Sequence, residues 1–270
     1  MKKVLIATDI DGTLLPNGSI EVPKYTERIF RRLDRSGIPI VLVTGRPTRA
    51  TLPIAGIVRE NGIIASYNGA EIFHAGSRKP VQTTSISPQY GKQLIHEIGQ
   101  AIPDSVISVE CQNFVCLPEN APTPPPPYAT KNIRRGSLDK TWDAPGLKIL
   151  VRHQTLSSPE LLEIVEEVGG TKISPTWSVS GMVEIAADGV DKASAIDAIS
   201  KLMDLRASDV IAFGDMPNDI PMLEHAGYSH AVADAHQSVI DVADRLIGAC
   251  ESEAVASTLD DYFYGEDLTG

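Results

Sequence analysis

The stretch "VLIATDIDGT" (residues 4–13) constrains this chain more than any other. Its first five residues show no polar alternation, so a strand made from them is buried on both faces. That arrangement belongs to parallel sheets covered by helices on either side. The same strand then runs into Asp9, Asp11 and Gly12. At about 5 Å and an effective dielectric of ~20, two like charges repel by about 3 kcal/mol. A fold that holds both carboxylates at the end of a buried strand needs a counter-charge beside them. The plainer reading is a strand-ending turn, since Asp and Gly are common turn formers. An EF-hand is disfavoured because the glycine falls too early for that loop.

The flanking sequence repeats this grammar. Residues 23–36 place Tyr25, Ile29, Phe30 and Leu33 at helical spacing behind Pro23. "IPIVLVT" (38–44) reads as a second buried strand, 48–59 as a helix, and "GIIASYNGAEIF" (62–73) as two strands joined by an Asn-Gly turn. In the last third, 192–203 reads as a helix capped by Asp191, "VIAFGD" (210–215) and "SHAVA" as strands, and "DIPMLEHAG" as a short helix. "HQSVIDVADRL" and "ESEAVASTLDDYF" read as closing helices. The middle differs: a helix (88–101), strands near 106–117, the strand "GLKILVRH" (146–153), a helix (159–168), and strands in "TKISPTW" and "MVEIAA". Within it, "APTPPPPYATKNIRRGS" (121–137) carries five prolines in residues 122–127, which forbid helix and central strand. It reads as a stiff surface loop of the insert, with an interdomain linker as the alternative. The expected architecture is α/β: a doubly wound parallel sheet formed by 1–81 and 185–270, with a smaller α+β domain, 82–184, inserted.

Charge narrows the partners. Lys and Arg number 24 against 35 Asp and Glu, a net charge of −11, which disfavours nucleic acid and anionic membranes. Arg28, Arg31, Arg32 and Arg35 follow helical spacing and read as the wet face of the first helix. The three cysteines, Cys111, Cys116 and Cys250, form neither a disulfide framework nor a zinc motif, which fits a reducing compartment. The apolar run in "MKKVLIATD" is too short for a signal peptide, and no segment approaches a membrane span. A cytoplasmic location is expected; oligomeric state leaves no signal. Six histidines show no metal-binding spacing, and neither a P-loop nor a dinucleotide fingerprint is present. Trp142 and Trp177 read as packing residues of the insert.

In an open parallel sheet, ligands collect at the carboxyl ends of the strands. Three such ends carry chemistry here: "DIDGT" (Asp9–Thr13), "TGR" (Thr44–Arg46) and "GDMPND" (Gly214–Asp219). Asp9, Asp11 and Asp215 would converge there, and oxygen ligands without His or Cys point to Mg2+ rather than Zn2+. Thr44 offers a hydroxyl and Gly45 an open backbone N–H to a phosphate oxygen. Lys192, opening a helix after "DGVD", brings an ammonium. Arg46 is placed to reach toward the insert or a substrate.

These four segments, with "GVDKA" and "GDMPNDIPML" as the later pair, resemble the motifs of the haloacid-dehalogenase superfamily of phosphohydrolases. The insert between the second and third, preceded by "SYNGAEIF", resembles the Cof-type sugar-phosphatase branch with its cap. The resemblance implies Asp9 as nucleophile, forming an aspartyl-phosphate, and Asp11 as the acid that protonates the leaving alcohol and later deprotonates water. It implies Mg2+ between the Asp9 carboxylate, the Asp11 backbone carbonyl and Asp215. Thr44, Gly45, Lys192 and Asn218 would hold the phosphoryl oxygens, and Asp219 would orient the cation's waters or Lys192. The implied function is Mg2+-dependent hydrolysis of small phosphomonoesters, sugar or related metabolite phosphates. A phosphomutase is the alternative enzyme, for which "KNIRR" (131–135) is the single basic candidate for a second phosphate clamp; a non-catalytic phosphate-binding protein is the third reading.

Overall fold

The computed structural model describes residues 4–119 and 121–265; the basic start, Met1–Lys3, lies outside them. Strands β1 (Leu5–Thr8), β2 (Ile40–Val43), β3 (Ile63–Ser66), β4 (Glu71–His74) and β5 (Pro80–Thr83) come first. The middle supplies β6 (Val106–Cys111), β7 (Val115–Leu117), β8 (Ile133–Arg135), β9 (Gly146–Arg152), β10 (Ile173–Thr176) and β11 (Met182–Ala187). The closing strands are β12 (Val210–Gly214), β13 (Tyr228–Ala231) and β14 (Arg245–Leu246).

Among the described residues these strands form two sheets. The larger has eight strands in the order β14-β13-β12-β1-β2-β3-β4-β5. It is parallel from β14 to β3, and antiparallel pairing adds β4 and β5. The continuous apolar runs explain this sheet. On one face Ile6 packs with Ile29, Phe30, Leu33 and Leu259; on the other Leu5 and Ala7 pack with Ile196, Ile199, Met222 and Leu223. Register then sets the rim. Thr8 lies opposite both Phe213 and Leu42, so Asp9, Asp215 and Thr44 leave three adjacent strands on one edge.

The second sheet, β10-β11-β9-β6-β7-β8, has six strands. Its strands alternate. Ile107, Val109, Ile149, Val151, Val183 and Ile185 pack under the helices Pro88–Ala101 and Ser158–Gly169, leaving the other face for the larger sheet. Trp142 is fully buried in this core, its indole N–H donating to the Ala144 carbonyl at 2.6 Å. Trp177 instead sits half-buried with its ring edge-on to His236.

Several elements depart from the sequence reading, among them β5, an unexpected edge strand that carries the larger sheet past the expected boundary at 81. Residues 48–59 are a single α-turn, Thr48–Thr51, and a 3-10 turn, Ala55–Val58, because Pro53 between them has no N–H to continue a helix. In "HQSVIDVADRL" the helix covers only Gln237–Ile240. Asp244 then accepts from the Ser229 amide and hydroxyl, which draws Arg245–Leu246 into the sheet beside β13. Ile133–Arg135, inside the stretch read as a loop, pairs in parallel with β7. No helix among the described residues is long and apolar enough to cross a membrane.

Candidate active site

Asp9, the first residue beyond β1, is buried, and its Oδ1 accepts from the Lys192 ammonium at 2.5 Å. Lys192 opens the helix Lys192–Leu202, whose start is fixed by the Asp191 carboxylate accepting from the Ser194 amide at 2.7 Å. The same ammonium donates to Asp219 at 2.6 Å, and both residues are completely buried. Burial alone would lower the Lys192 pKa, but Asp219 and Asp9 outweigh it and raise the value. Both carboxylate oxygens of Asp219 are engaged, because the second accepts from the Asp215 and Met216 amides, each at 3.0 Å.

Asp215 approaches from β12, held by the Thr13 hydroxyl at 2.7 Å. Gly12 makes room for it. Its φ is +77°, and a Cβ there would lie 2.3 Å from Asp215 Oδ2. Burial, with Asp219 adding repulsion, pushes the Asp215 carboxyl up to about 7. Burial likewise raises Asp9 well above the usual carboxylate range against the pull of Lys192. Carboxylate oxygens of Asp9, Asp215 and Asp219 lie within 4.8 Å of one another. Three carboxylates against one ammonium leave two negative charges unbalanced when all are ionised. An all-oxygen donor set with that deficit suits a hard divalent cation.

Asp11 belongs to a different constellation. The buried Arg46 grips it through two bonds, Nε to Oδ2 at 2.6 Å and Nη2 to Oδ1 at 2.7 Å, and the Gly18 amide adds a third at 2.7 Å. Arg46 thus meets a carboxylate beyond β1 and also reaches the insert, its guanidinium lying 6.0 Å from the Tyr128 ring centroid, and its Nη1 is buried without a hydrogen-bond partner. Tyr128, at the end of the proline-rich stretch, brings its hydroxyl to 3.4 Å from Asp11 Oδ1.

The "TGR" turn lies alongside. Thr44 is buried, and its hydroxyl accepts from the Arg46 amide at 3.1 Å. The Gly45 carbonyl accepts from Lys148 of β9 at 2.7 Å. Asn218 gives Nδ2 to Asn68 at 3.3 Å and leaves Oδ1 buried without a partner. Tyr67 and Asn68 both have positive φ, 53° and 59°, a region costing side-chain-bearing residues about 1–3 kcal/mol. That turn aims Asn68 Nδ2 at Glu184 of β11, 2.9 Å away, and Glu184 also pairs with Lys148.

Asp9, Asp11, Thr44, Gly45, Asp215 and Asn218 therefore share the wall of one cavity of about 800 Å³, while Lys192 and Asp219 are buried behind it. The second sheet supplies the opposite wall, and the proline stretch is the expected surface loop, with Pro122, Thr123, Pro125 and Pro126 exposed, while Pro122–Pro125 also line the cavity. The basic stretch "KNIRR" is committed elsewhere. Arg134 pairs with Asp143 and lies over the Phe114 ring, and Arg135 donates to the Ala121 carbonyl at 2.6 Å.

A family model described as haloacid dehalogenase-like hydrolase matches residues 6–259. The chain belongs to that family. Among curated proteins, the haloacid dehalogenase-like chain is 26% identical to the Bacillus subtilis 5-amino-6-(5-phospho-D-ribitylamino)uracil phosphatase YitU, over 97% of this chain and 98% of that one. It is 25% identical to the Escherichia coli pyridoxal phosphate phosphatase YbhA, over 93% and 96%. Among solved structures, a haloacid dehalogenase-like hydrolase from Bacteroides thetaiotaomicron superposes with a TM-score of 0.78 at 26% identity, covering 96% of this chain and 99% of that one. This haloacid dehalogenase-like chain is a hydrolase by family, and both of these curated relatives are named as phosphatases. Sequence reasoning missed Tyr128, Lys148 and Glu184 in the site. The signal for the last two was a charged residue alternating with apolar ones in "LKILV" and "MVEIAA".

Proposed function

We propose that this chain hydrolyses small phosphomonoesters with Mg2+ through a phosphorylated Asp9. The observation that carries the reading is the buried Asp9–Lys192–Asp219 relay facing Asp215 across the cavity wall. Asp9 and Asp215 would hold the cation, with the Asp11 backbone carbonyl; when bound, Mg2+ neutralises their charge and that of the phosphate. Lys192 fixes Oδ1 of Asp9, so Oδ2 is the oxygen that attacks phosphorus. As the P–O ester bond breaks, Asp11 gives its proton to the leaving oxygen. The resulting carboxylate then takes a proton from the water that attacks the phosphoaspartate, and free phosphate leaves.

The bidentate Arg46 grip holds Asp11 as an acceptor, so Asp11 must loosen it to donate a proton. Thr44, the Gly45 amide and Asn218 steady the phosphoryl oxygens from the cavity wall, and the Lys192 charge acts from behind it through Asp9, which is most of what phosphoryl transfer asks of a protein. Residues 82–184 act as a cap that excludes water. Two relatives named for phosphatase action on small phosphorylated compounds support the substrate class, to which sugar phosphates also belong.

Asp9→Asn, nearly isosteric, should abolish phosphate release from p-nitrophenyl phosphate while leaving the circular dichroism spectrum unchanged. A chelator should silence the parent protein and excess Mg2+ restore it. Near-normal turnover by Asp9→Asn would remove the nucleophile assignment.

A further inference from the structure

Asp11 has to carry a proton and give it up, and its partners differ in which of those states they can hold. Arg46 Nε and Nη2 and the Gly18 amide, at 2.6, 2.7 and 2.7 Å, are donors only. A guanidinium has no acceptor, so this set suits the carboxylate rather than the acid. Arg46 Nη2 also donates to the Ser19 carbonyl at 2.8 Å, a partner that remains when Asp11 turns away.

Asp11 has room to turn. Asp9, Asp215 and Asp219 are buried, whereas the Asp11 side chain is 21% exposed and lines the cavity. Tyr128 lines the same cavity. Its hydroxyl lies 3.4 Å from Asp11 Oδ1 and 3.5 Å from Oδ2, nearly equidistant from the two. That is just beyond the ~2.5–3.0 Å of an ordinary O–H···O bond. A phenol, unlike a guanidinium, both donates and accepts. It can therefore donate to the Asp11 carboxylate and accept from the Asp11 acid, which serves both sides of a proton transfer.

The main chain of Tyr128 is fixed in that place. Arg49 Nε and Nη2 donate to its carbonyl at 3.1 and 2.8 Å, and Arg49 also grips Glu110 of β6. The preceding Pro127 borders the turn that supplies the Gly18 amide: a Cβ on Gly18 would lie 3.9 Å from Pro127 Cδ. With its ring centroid 6.0 Å from the Arg46 guanidinium, Tyr128 flanks the Arg46–Asp11 pair as a whole.

We propose that Tyr128 is a positioning residue for Asp11: its hydroxyl takes the carboxyl over from Arg46 and holds it ready to protonate the leaving oxygen. The inference rests on the phosphatase reading above. As the ester bond breaks, the proton moves from Asp11 to the leaving oxygen, while the phenol O–H donates to the other carboxyl oxygen. Tyr128 keeps its own proton throughout. The residue that readies the acid thus arrives from the insert, not from the sheet that carries the acid.

A proton donor matters most where the leaving group is poor, and that separates positioning from packing. The test compares kcat/KM of the full chain and of Tyr128→Phe, both with Mg2+, on phenyl phosphate and p-nitrophenyl phosphate. The two esters are similar in size, but p-nitrophenolate leaves with far less need of a proton. Tyr128→Phe keeps the ring and removes only the hydroxyl. It should lose about tenfold on phenyl phosphate, part of the ~100- to 10,000-fold that acid–base catalysis supplies, and less than about threefold on p-nitrophenyl phosphate. Retained turnover of p-nitrophenyl phosphate also shows that the variant is folded. A loss as large on p-nitrophenyl phosphate as on phenyl phosphate, or no loss on phenyl phosphate, would overturn the proposal while leaving the phosphatase reading intact. Absence of phosphate release from both esters by the parent protein would overturn both.

Discussion

Lys192 shows how much one side chain decides at the residue scale. It neutralises one of three clustered carboxylates and fixes Asp9, but it leaves Asp215 among like charges with only the Thr13 hydroxyl as a side-chain donor. The folded chain therefore binds the Asp215 proton more tightly than the unfolded chain, with the carboxyl pushed from 3.8 to about 7. Ionised Asp215 accordingly destabilises the metal-free fold, fully so above about pH 7, and the effect vanishes as pH falls toward 4, where both states are protonated. Asp215→Asn keeps the shape, removes the charge and removes a metal ligand. In chelator at pH 8 the variant should melt about 5 °C above the parent, corresponding to ~1–2 kcal/mol, with the gap closing toward pH 4. Its turnover should be lost. Equal melting temperatures at pH 8 would mean that the charge cluster is not strained.

At the scale of elements, the sequence was most legible where a strand is buried on both faces. "VLIAT", "IVLV" and "VIAFG" left no alternative to central parallel strands, so the residues that follow them had to share a rim. The wall across the cavity was less legible. "GLKILVR" reads as a strand, but whether Lys148 meets solvent or a carboxylate depends on pairing with β11, which no local pattern specifies. The five prolines fixed what their segment is not, while Tyr128 was placed by Arg49, which donates to its carbonyl at 2.8 Å.

The β9–β11 pair also makes a pH prediction. Burial would raise the Glu184 carboxyl, but Lys148, Ser178 and Asn68 outweigh it and hold the group below its ordinary 4.5. A depressed carboxyl stabilises the fold above the unfolded value and loses that contribution as pH falls below about 4.5. Without the ammonium, burial dominates and the sign reverses. The stability deficit of Lys148→Met should accordingly be largest near pH 7 and shrink below about pH 4.5, read from urea midpoints across pH. A deficit independent of pH would assign Lys148 a packing role alone.

For the whole molecule the question is whether two sheets with separate cores behave as one unit. Their cores do not merge: Ile6, Phe30 and Leu42 lie in one, and Val109, Ile149 and Leu161 in another. The interface between them joins a small apolar cluster, Tyr67 and Ala70 with Leu147, Ala186 and Val190, to a set of polar contacts. It includes Arg49 to Glu110 and to the Tyr128 carbonyl, Lys148 to Gly45, Asn68 to Glu184, and Gln112 to Glu71. Interfaces of this kind permit relative motion of the parts they join. Glu110 is 7% exposed and Arg49 24%, so the pair is mostly out of water, where removing one partner strands the other charge. Arg49→Met should cost about 3 kcal/mol or more, and Arg49→Met with Glu110→Gln distinctly less than the two single losses added together. A coupling energy above ~1 kcal/mol from that cycle would make the pair a latch between the sheets. Strict additivity would leave the two sheets held by the apolar cluster around Tyr67 and by Lys148, Asn68 and Gln112.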